Sequence, residues 1–288
     1  MTGINFIDAI LSVLVSICML FTGFMDSGNA SSTPAVELVK EDKLVFLDAF
    51  ASGQGVTTDG EYYYTSGSLT AFGMTSITKW DADTMEQLVQ NDAPIPQEYI
   101  DDYGHDHVGG ISYYDGKIYA AVEDEAEAMP LVITYDARSL KLIEVYEIPN
   151  DNLPDGIPWC CVDGENGYLY CSQFNEVNEI LAFDLETMEY SHSIKLSEQV
   201  VRIQGGEVYD GVLYLSSDIA DSNDDKIITV DVKIGEVNEL CTRSLPSLAG
   251  NEAEGVTVYP MADGSFIHVL DYDKTVGVYL RHYKIVEE

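Results

Sequence analysis

The sequence contains few basic residues. Only 14 Lys and Arg oppose 50 Asp and Glu, so the formal net charge at pH 7 is −36. Nucleic acid and anionic lipid head groups are both bound through clustered basic residues, so this balance argues against either as a partner, apart from membrane contact through an N-terminal segment. The acidic surplus has three interpretations: a solubilising surface, an acidic face that holds a cation such as calcium, or adaptation to high salt.

Cysteine is also scarce. Of the five cysteines, Cys18 lies in an apolar N-terminal run, and the other four are too few for a disulfide scaffold. We expect buried thiols, with Cys171 on an apolar strand as the clearest case, although adjacent Cys160 and Cys161 leave a strained vicinal disulfide as an alternative. The sequence has no Cys-x-x-Cys pair, zinc-ligand spacing, Gly-x-Ser-x-Gly elbow, Walker loop or His-Glu-x-x-His motif.

One long apolar run is present, at residues 9–25. Its 17 uncharged residues are near the lower limit for a membrane span. Gly28 and Ala30 are suitably small for cleavage after Ala30, which predicts export and a mature chain that begins at Ser31. Because no Lys or Arg precedes the run, a retained membrane anchor is the alternative. We therefore expect residues 1–30 to be a signal peptide or anchor, residues 31–42 to be a linker, and the protein to be secreted or extracytoplasmic.

A repeat of about fifty residues fills the rest of the chain. Two-residue turns recur at Asp59-Gly60, Asp115-Gly116, Asn166-Gly167, Asp210-Gly211 and Asp263-Gly264. Glycine-bearing segments precede four of these turns (QGVTT, GGISYY, GGEVY and EGVTV), and the third copy has WCCV instead. An aromatic or β-branched strand follows each turn. A third strand then ends on aspartate at intervals of 55, 48 and 47 residues, at Asp81, Asp136, Asp184 and Asp231.

Four short strands repeated at this period are typical of propeller blades. We therefore predict an all-β fold, a five-bladed β-propeller of four-stranded blades over residues 43–288. The last copy leaves no room for its fourth strand, so we expect residues 43–50 to supply it and to close the ring. A β-sandwich is the alternative, but it does not require a fixed long period.

The long connections of this fold are predicted to lie at one end of the central channel, where ligand-facing residues are usual. The residues that begin the innermost strands should surround that mouth and bind a small-molecule or cationic ligand. They are Gln54, His105, Asp106, His107, Trp159, Arg202, Gln204, Glu252 and Glu254. We expect Trp159 to form a flat apolar wall and Glu254 to supply a charge or a base. Gly109 and Gly110 favour close packing of strands rather than phosphate binding.

Asp221, Asn223 and Asp225 alternate in a way that resembles the start of a calcium-binding loop. Lys226 and Val232 occupy the positions where an EF-hand has glycine and glutamate, so the segment is not an EF-hand. Calcium is therefore the one cofactor that the sequence suggests, with these three side chains as its candidate ligands.

The first repeat resembles the plant-type glutaminyl cyclotransferase family. The likeness rests on Gln54-Gly55-Val56, on Asp59-Gly60, on the Tyr64 to Ser68 segment and on the strand Ile77 to Asp81. The resemblance implies a five-bladed propeller and, as a candidate reaction, glutaminyl cyclisation. The family has a glutamate where Tyr64 stands, so its catalytic residue is not carried over. The chain also resembles uncharacterised exported bacterial propellers, which suggest no function.

Three functions remain open at this stage. The first is an exported monomeric binding protein for a small or cationic ligand. The second is an enzyme at the same mouth, glutamine cyclotransferase-like or a hydrolase, with Glu252 or Glu254 as general base near His105 or His107. The third is a platform for protein interactions. Propellers serve all three purposes, so the fold alone does not choose between them.

Overall fold

The computed structural model describes residues 36–44, 52–219, 224–244, 251–273 and 277–286, all within the unit Ala35–Glu288. These residues form five antiparallel sheets of four strands each, which confirms the predicted five-bladed β-propeller. The predicted export segment, residues 1–30, lies outside them. No helix in the described ranges is long and apolar enough to cross a membrane.

Each blade is a meander whose first strand is innermost. Blade 1 contains β2 Gly55–Thr58, β3 Tyr62–Leu69, β4 Met74–Asp81 and β5 Gln87–Asn91. Blade 2 contains β6 His105–Tyr114, β7 Lys117–Asp124, β8 Leu131–Asp136 and β9 Leu142–Glu147. Blade 3 contains β10 Trp159–Asp163, β11 Tyr168–Ser172, β12 Val177–Asp184 and β13 Tyr190–Val200. Blade 4 contains β14 Ile203–Tyr209, β15 Val212–Ser217, β16 Asp224–Asp231 and β17 Val237–Ser244. Blade 5 contains β18 Asn251–Val258, β19 Ile267–Asp273, β20 Gly277–Ile285 and, as its outer strand, β1 Val36–Lys43.

An N-terminal strand closes the ring, but its expected bounds need correction. Strand β1 pairs antiparallel with β20 from Val36 opposite Ile285 to Lys43 opposite Tyr279. The closing strand is therefore Val36–Lys43 rather than residues 43–50, and it covers much of the stretch that we expected to be a linker. Beyond it, the backbone N–H of Leu44 donates to the carbonyl of Val278 at 3.0 Å. Residues 45–50 lie outside the described part of the chain.

The reason for this difference is the polarity of an outermost strand. Such a strand faces solvent along its free edge, so it needs no apolar pattern and often carries charges. The sequence of β1 is VELVKEDK, and cross-strand ion pairs fix its register. Ion pairs join Glu37 to Lys284 at 3.0 Å and Glu41 to Arg281 at 2.7 Å, and Nε2 of His282 lies 3.0 Å from Oδ2 of Asp42.

The innermost strands contact one another around the ring in the order β2, β6, β10, β14 and β18, and β18 returns to β2. Glycine permits this closeness. The N–H of Gly110 donates to the carbonyl of Pro158 at 2.8 Å, and a Cβ on Gly109 would lie 2.2 Å from that same oxygen. The interpretation of Gly109 and Gly110 as a site of close strand packing is confirmed.

The antiparallel order of strands defines two ends of the channel. The innermost strands begin at what we call the loop end, where the connections between second and third strands and between blades lie. They finish at the hairpin end, where short turns join strands one and two. One helix of the described residues, α1 Gln97–Tyr103, lies in a connection at the loop end. In blade 1, residues 70–73 connect β3, which ends at Leu69, to β4, which begins at Met74, and Thr70–Phe72 form a short 3-10 helix there.

The four cysteines of the propeller are free and buried, as Cys160, Cys161, Cys171 and Cys241. This confirms the expectation of buried thiols. Burial raises the pKa of both Cys160 and Cys161 well above the usual value, so neither thiol is poised to react.

Candidate functional site

Two of the residues predicted for the loop-end mouth meet although they are 200 positions apart. The side-chain amide of Gln54, which precedes the innermost strand of blade 1, donates to Oε1 of Glu254 in blade 5 at 3.2 Å. The backbone supports this contact, because the N–H of Gly255 donates to the carbonyl of Gln54 at 2.7 Å. The pair lies where the first and last blades adjoin.

Glu254 is a buried acid among other acids. It is 2% exposed, and burial raises the pKa of its carboxyl well above the usual value. Repulsion from Glu252, Asp218, Asp271 and Asp225 raises this pKa further. A carboxyl in such surroundings tends to keep its proton and gains from any cation that reaches it.

Arg202 is already engaged at the loop end. Its Nε donates to Oδ2 of buried Asp218 at 3.0 Å, and its Nη2 reaches the same oxygen. Its guanidinium also lies over the ring of Phe174, 4.9 Å from the ring centre. The ion pair joins β14 to the end of β15, so Arg202 neutralises an acid of its own blade.

Trp159 does not line the mouth. Its side chain is 0% exposed and its indole N–H donates to Oγ of Ser172 at 3.0 Å. The ring packs into the core between blades 3 and 4, where a Cβ on Gly206 would lie 2.6 Å from it. The third blade lacks glycines at the start of its innermost strand, and Trp159 fills the volume that Gly206 leaves free. The flat wall expected at the mouth is therefore a core side chain.

The two histidines that were predicted for the mouth have different surroundings. His105 is fully buried, with Nε2 2.7 Å from the carbonyl oxygen of Met129 and Nδ1 3.2 Å from that of Tyr99 in α1. It holds α1 and the connection after β7 against β6. His107 lies opposite Glu123, and burial lowers the pKa of its imidazole. Asp106, Gln204 and Glu252 are half-buried at the beginnings of β6, β14 and β18.

Asp225 is the described member of the predicted calcium loop, since Asp221 and Asn223 lie outside the described residues. Its side chain is fully buried, and Nδ2 of Asn251 donates to its Oδ2 at 2.8 Å. Its Oδ1 has no hydrogen-bond partner in the described structure. Burial raises its pKa to about 6, although nearby Arg243 lowers it. In the described ranges, no three His, Cys, Asp or Glu side chains form a metal-binding group.

The hairpin end contains a cavity that the sequence did not predict. It measures about 490 Å³ and is lined by residues from all five blades. We call it the hairpin-end cup, defined by Glu207 at its floor, by Tyr114, Tyr209 and Tyr259 at its rim, and by the turn residues around them. Because it joins all five blades, it marks the channel axis.

Glu207 is the exceptional member of a ring of five equivalent positions. Each of these residues lies opposite an aromatic residue or histidine of the second strand in its own blade. The other four are Thr57, Ser112, Cys161 and Thr257. Glu207 reaches across the channel to three of them, accepting hydrogen bonds from Thr57 at 3.1 Å, Ser112 at 3.2 Å and Thr257 at 3.3 Å. The side chain of Glu207 therefore spans the channel and its carboxyl group connects blade 4 to blades 1, 2 and 5.

The surroundings of Glu207 set its proton affinity. It is 6% exposed, and burial raises its pKa to about 8, although the hydroxyl donors lower it. The alignment of the repeats contained a signal for this residue. In the column that reads Thr, Ser, Cys, Glu and Thr, a large acid replaces small side chains. Glu207 lies within β14 and not at its beginning, where the sequence predicted the ligand-facing residues.

Comparisons with known proteins identify the fold. No protein-family model matches the chain, and no curated protein matches it. Among solved structures it is similar to a glutaminyl cyclase from Myxococcus xanthus, with 12% identity, a TM-score of 0.60, and coverage of 88% of this chain and 100% of the other. It is also similar to a GH43_1 enzyme from Xanthomonas citri complexed with xylose, with 12% identity, a TM-score of 0.57, and coverage of 84% and 89%. RS223-Beta-xylosidase matches with 11% identity and a TM-score of 0.57, covering 86% of this chain and 95% of the other.

These likenesses are at low identity, so they establish a shared fold. They agree with the resemblance of the first repeat to the glutaminyl cyclotransferase family. Tyr64, which stands where that family has a glutamate, is buried, and its hydroxyl donates to Oδ2 of Asp59 at 2.9 Å. Tyr64 itself supplies no carboxyl group, and the acid beside it is Asp59, which accepts its hydrogen bond.

Proposed function

We propose that this protein is an exported β-propeller that binds a small cationic ligand at the loop end of its channel. The observation that supports this most is the position of Glu254, a buried carboxyl that Gln54 of another blade contacts. Among the nearby acids, Asp218 and Asp271 are paired with arginines, whereas Glu252 adds negative charge beside Glu254. A cation is the ligand that such a site favours.

The experiment is a thermal-shift and calorimetric screen of amines, metal ions, sugars and peptides. A ligand that binds the native state raises the melting temperature, so a hit is detected without knowing its identity. Glu254→Gln should weaken binding of a cationic hit about tenfold or more, because a charge-assisted contact is lost. The control is Glu86→Gln, which removes an equal charge from an exposed turn. Equal loss in both variants would overturn the proposal, as would hits that are exclusively anionic.

An enzyme at the same mouth is the second candidate. The specific observation in its favour is that the pKa of Glu254 is raised by burial, which suits a group that must carry a proton and release it. Glutaminyl cyclisation is the reaction to test first, given the fold shared with a glutaminyl cyclase. Ammonia release from a peptide with N-terminal glutamine, lost in Glu254→Gln, would support it. Absence of turnover at high protein concentration would leave binding as the function.

Export belongs to this proposal and has its own test. The mature chain is expected to begin at Ser31, which N-terminal sequencing or intact mass of secreted material decides. Membrane-bound material that retains residues 1–30 would favour an anchor instead.

A further inference from the structure

The contacts of Glu207 include several hydroxyl donors that favour its ionised form, although burial outweighs them near pH 7. Two of its hydroxyl donors are themselves oriented by backbone groups. The N–H of Tyr113 donates to Oγ1 of Thr57 at 2.9 Å, and that of Val162 donates to Oγ of Ser112 at 3.1 Å. Each hydroxyl then has its proton free to donate to the carboxylate. Donors arranged in this way stabilise the ionised form, and burial opposes it.

A buried carboxylate without a counter-charge is destabilising, and a small neutral side chain at this position would avoid that cost. Thr, Ser or Cys fills the equivalent position in the other four blades. Among the described residues that line the cup, none is Lys, Arg or His. The three hydroxyls satisfy hydrogen bonds but supply no positive charge. When Glu207 is ionised, the geometry therefore leaves its charge to be balanced from the cup.

The cup has the size and the lining that suit a small ligand. Its volume of about 490 Å³ lies within the usual range for small-molecule pockets, roughly 300–1,000 Å³. Asp59, Asp163, Glu165 and Asp210 add carboxylates around the turns. Val162, Val208 and Val258 provide apolar wall. The potential inside is negative, so an anion is disfavoured.

Tyrosines form the rim. Tyr114, Tyr209 and Tyr259, from blades 2, 4 and 5, are 37%, 40% and 38% exposed. They are supported by neighbouring blades, since the ring of Tyr114 lies directly against Gly164, and Tyr209 packs edge-on against Phe266 with ring centres 5.1 Å apart. Aromatic faces attract ammonium groups and also cover hydrocarbon chains.

We infer that the hairpin-end cup is a second binding site, which takes a small organic ammonium ion. Its charged head contacts Glu207 at the floor, and its hydrocarbon part lies between the rim tyrosines. This site is at the opposite end of the channel from Glu254 and does not depend on the function proposed for the loop end.

Calorimetry with one matched series of probes tests the inference at pH 9, where most of Glu207 is ionised. The probes are 1,5-diaminopentane, the neutral 1,5-pentanediol and the anionic glutarate. The diamine should bind, and the diol and the dianion should bind at least about tenfold more weakly, because each lacks a charge-assisted contact. Equal affinity for diamine and diol would overturn the inference.

Variants locate the binding. Glu207→Gln should weaken diamine binding about tenfold or more, and Tyr259→Ala should weaken it about threefold, as expected for one cation–π contact. Tyr259→Phe should retain most affinity, because the aromatic face remains. The control for charge is Glu86→Gln. A diamine response that follows Glu254→Gln and ignores Glu207→Gln would place binding at the loop end and refute the cup.

The tyrosine pair keeps the test decisive if Glu207→Gln does not fold. In that case, an affinity that is the same in Tyr259→Ala and Tyr259→Phe would refute the cup. A loss confined to Tyr259→Ala would support it.

Discussion

The two ends of the channel both contain buried carboxyl groups, but the partners of those groups differ. At the loop end, Asp271 accepts from Arg243 at 2.8 and 2.9 Å and from Arg281 at 2.7 Å, and Arg281 also reaches Glu41 of the closing strand. At the hairpin end, three neutral hydroxyls bind Glu207. Much of the acidity at the loop end is therefore used to join blade 4, blade 5 and β1. In the hairpin-end cup, Glu207 is linked to other blades through neutral hydroxyl groups alone.

This difference shows that the acidic residues must be sorted by their hydrogen-bond and ion-pair partners before a function is assigned to them. The acids paired with guanidinium groups hold the ring together, because a buried ion pair ties two elements and cannot be broken cheaply. The ligand proposals rest on two buried acids whose hydrogen-bond partners are neutral, Glu254 at one end and Glu207 at the other.

The largest effect is expected from removing the guanidinium of Arg243. Arg243→Met should lower the free energy of unfolding by about 3–5 kcal/mol, because Asp271 loses two hydrogen bonds and nearby Asp225 loses its compensating charge. Urea unfolding at pH 7 measures it. For comparison, Glu207→Gln should not lower the free energy of unfolding at that pH, because the neutral amide avoids the cost of keeping a buried carboxyl group protonated or charged. Similar losses for both would mean that the two ends do not differ as described.

Trp159 belongs to the hydrophobic core between blades 3 and 4 and not to either end of the channel. Trp159→Phe should lower the free energy of unfolding by about 2 kcal/mol, because the variant loses buried volume and the hydrogen bond to Ser172. Affinity for any loop-end ligand should stay unchanged in the folded variant. A clear loss of affinity without loss of stability would indicate that Trp159 contacts the ligand at the mouth, as the sequence analysis expected.

The pH dependence of stability separates Glu207 from its neighbours. Its pKa is about 8 in the folded protein against 4.5 for an ordinary glutamate. The stability that protonated Glu207 contributes is present below pH 4.5 and is lost as the pH rises to 8. The wild type should therefore lose on the order of 3 kcal/mol relative to Glu207→Gln between pH 4.5 and 8. Parallel pH profiles for the two proteins would contradict the raised pKa.

The smallest effect concerns calcium at the loop end. If the loop that contains Asp225 binds calcium, the ion at ten times its Kd should add about 1.4 kcal/mol to the free energy of unfolding, and chelation should remove this gain. Asp225→Asn should abolish the response, whereas Glu86→Gln should keep it. A melting temperature that changes with neither calcium nor chelator would contradict calcium binding and would leave organic cations as the candidate ligands of the loop-end acids.

Local sequence patterns predicted most of the fold. The Asp-Gly and Asn-Gly turns and the regular aspartates recur because each blade must turn at the same places, so the number of blades follows from their period. The pairing of Gln54 with Glu254 also followed, since both residues begin innermost strands that converge on one channel. The closing strand did not follow, because a solvent-facing strand such as Val36–Lys43 is fixed by ion pairs with a distant strand rather than by its own pattern.

The sequence by itself determined the repeat, its turns and the strands within the repeats, since these depend on neighbours in the chain. Only the tertiary structure decided which side chains face the channel. Trp159 and His105 begin strands as expected, yet one fills the space above Gly206 and the other anchors α1. Glu207 became visible as a site because three other blades bring hydroxyl groups to it. Burial and charge balance depend on groups from all five blades, and no single repeat contains that information.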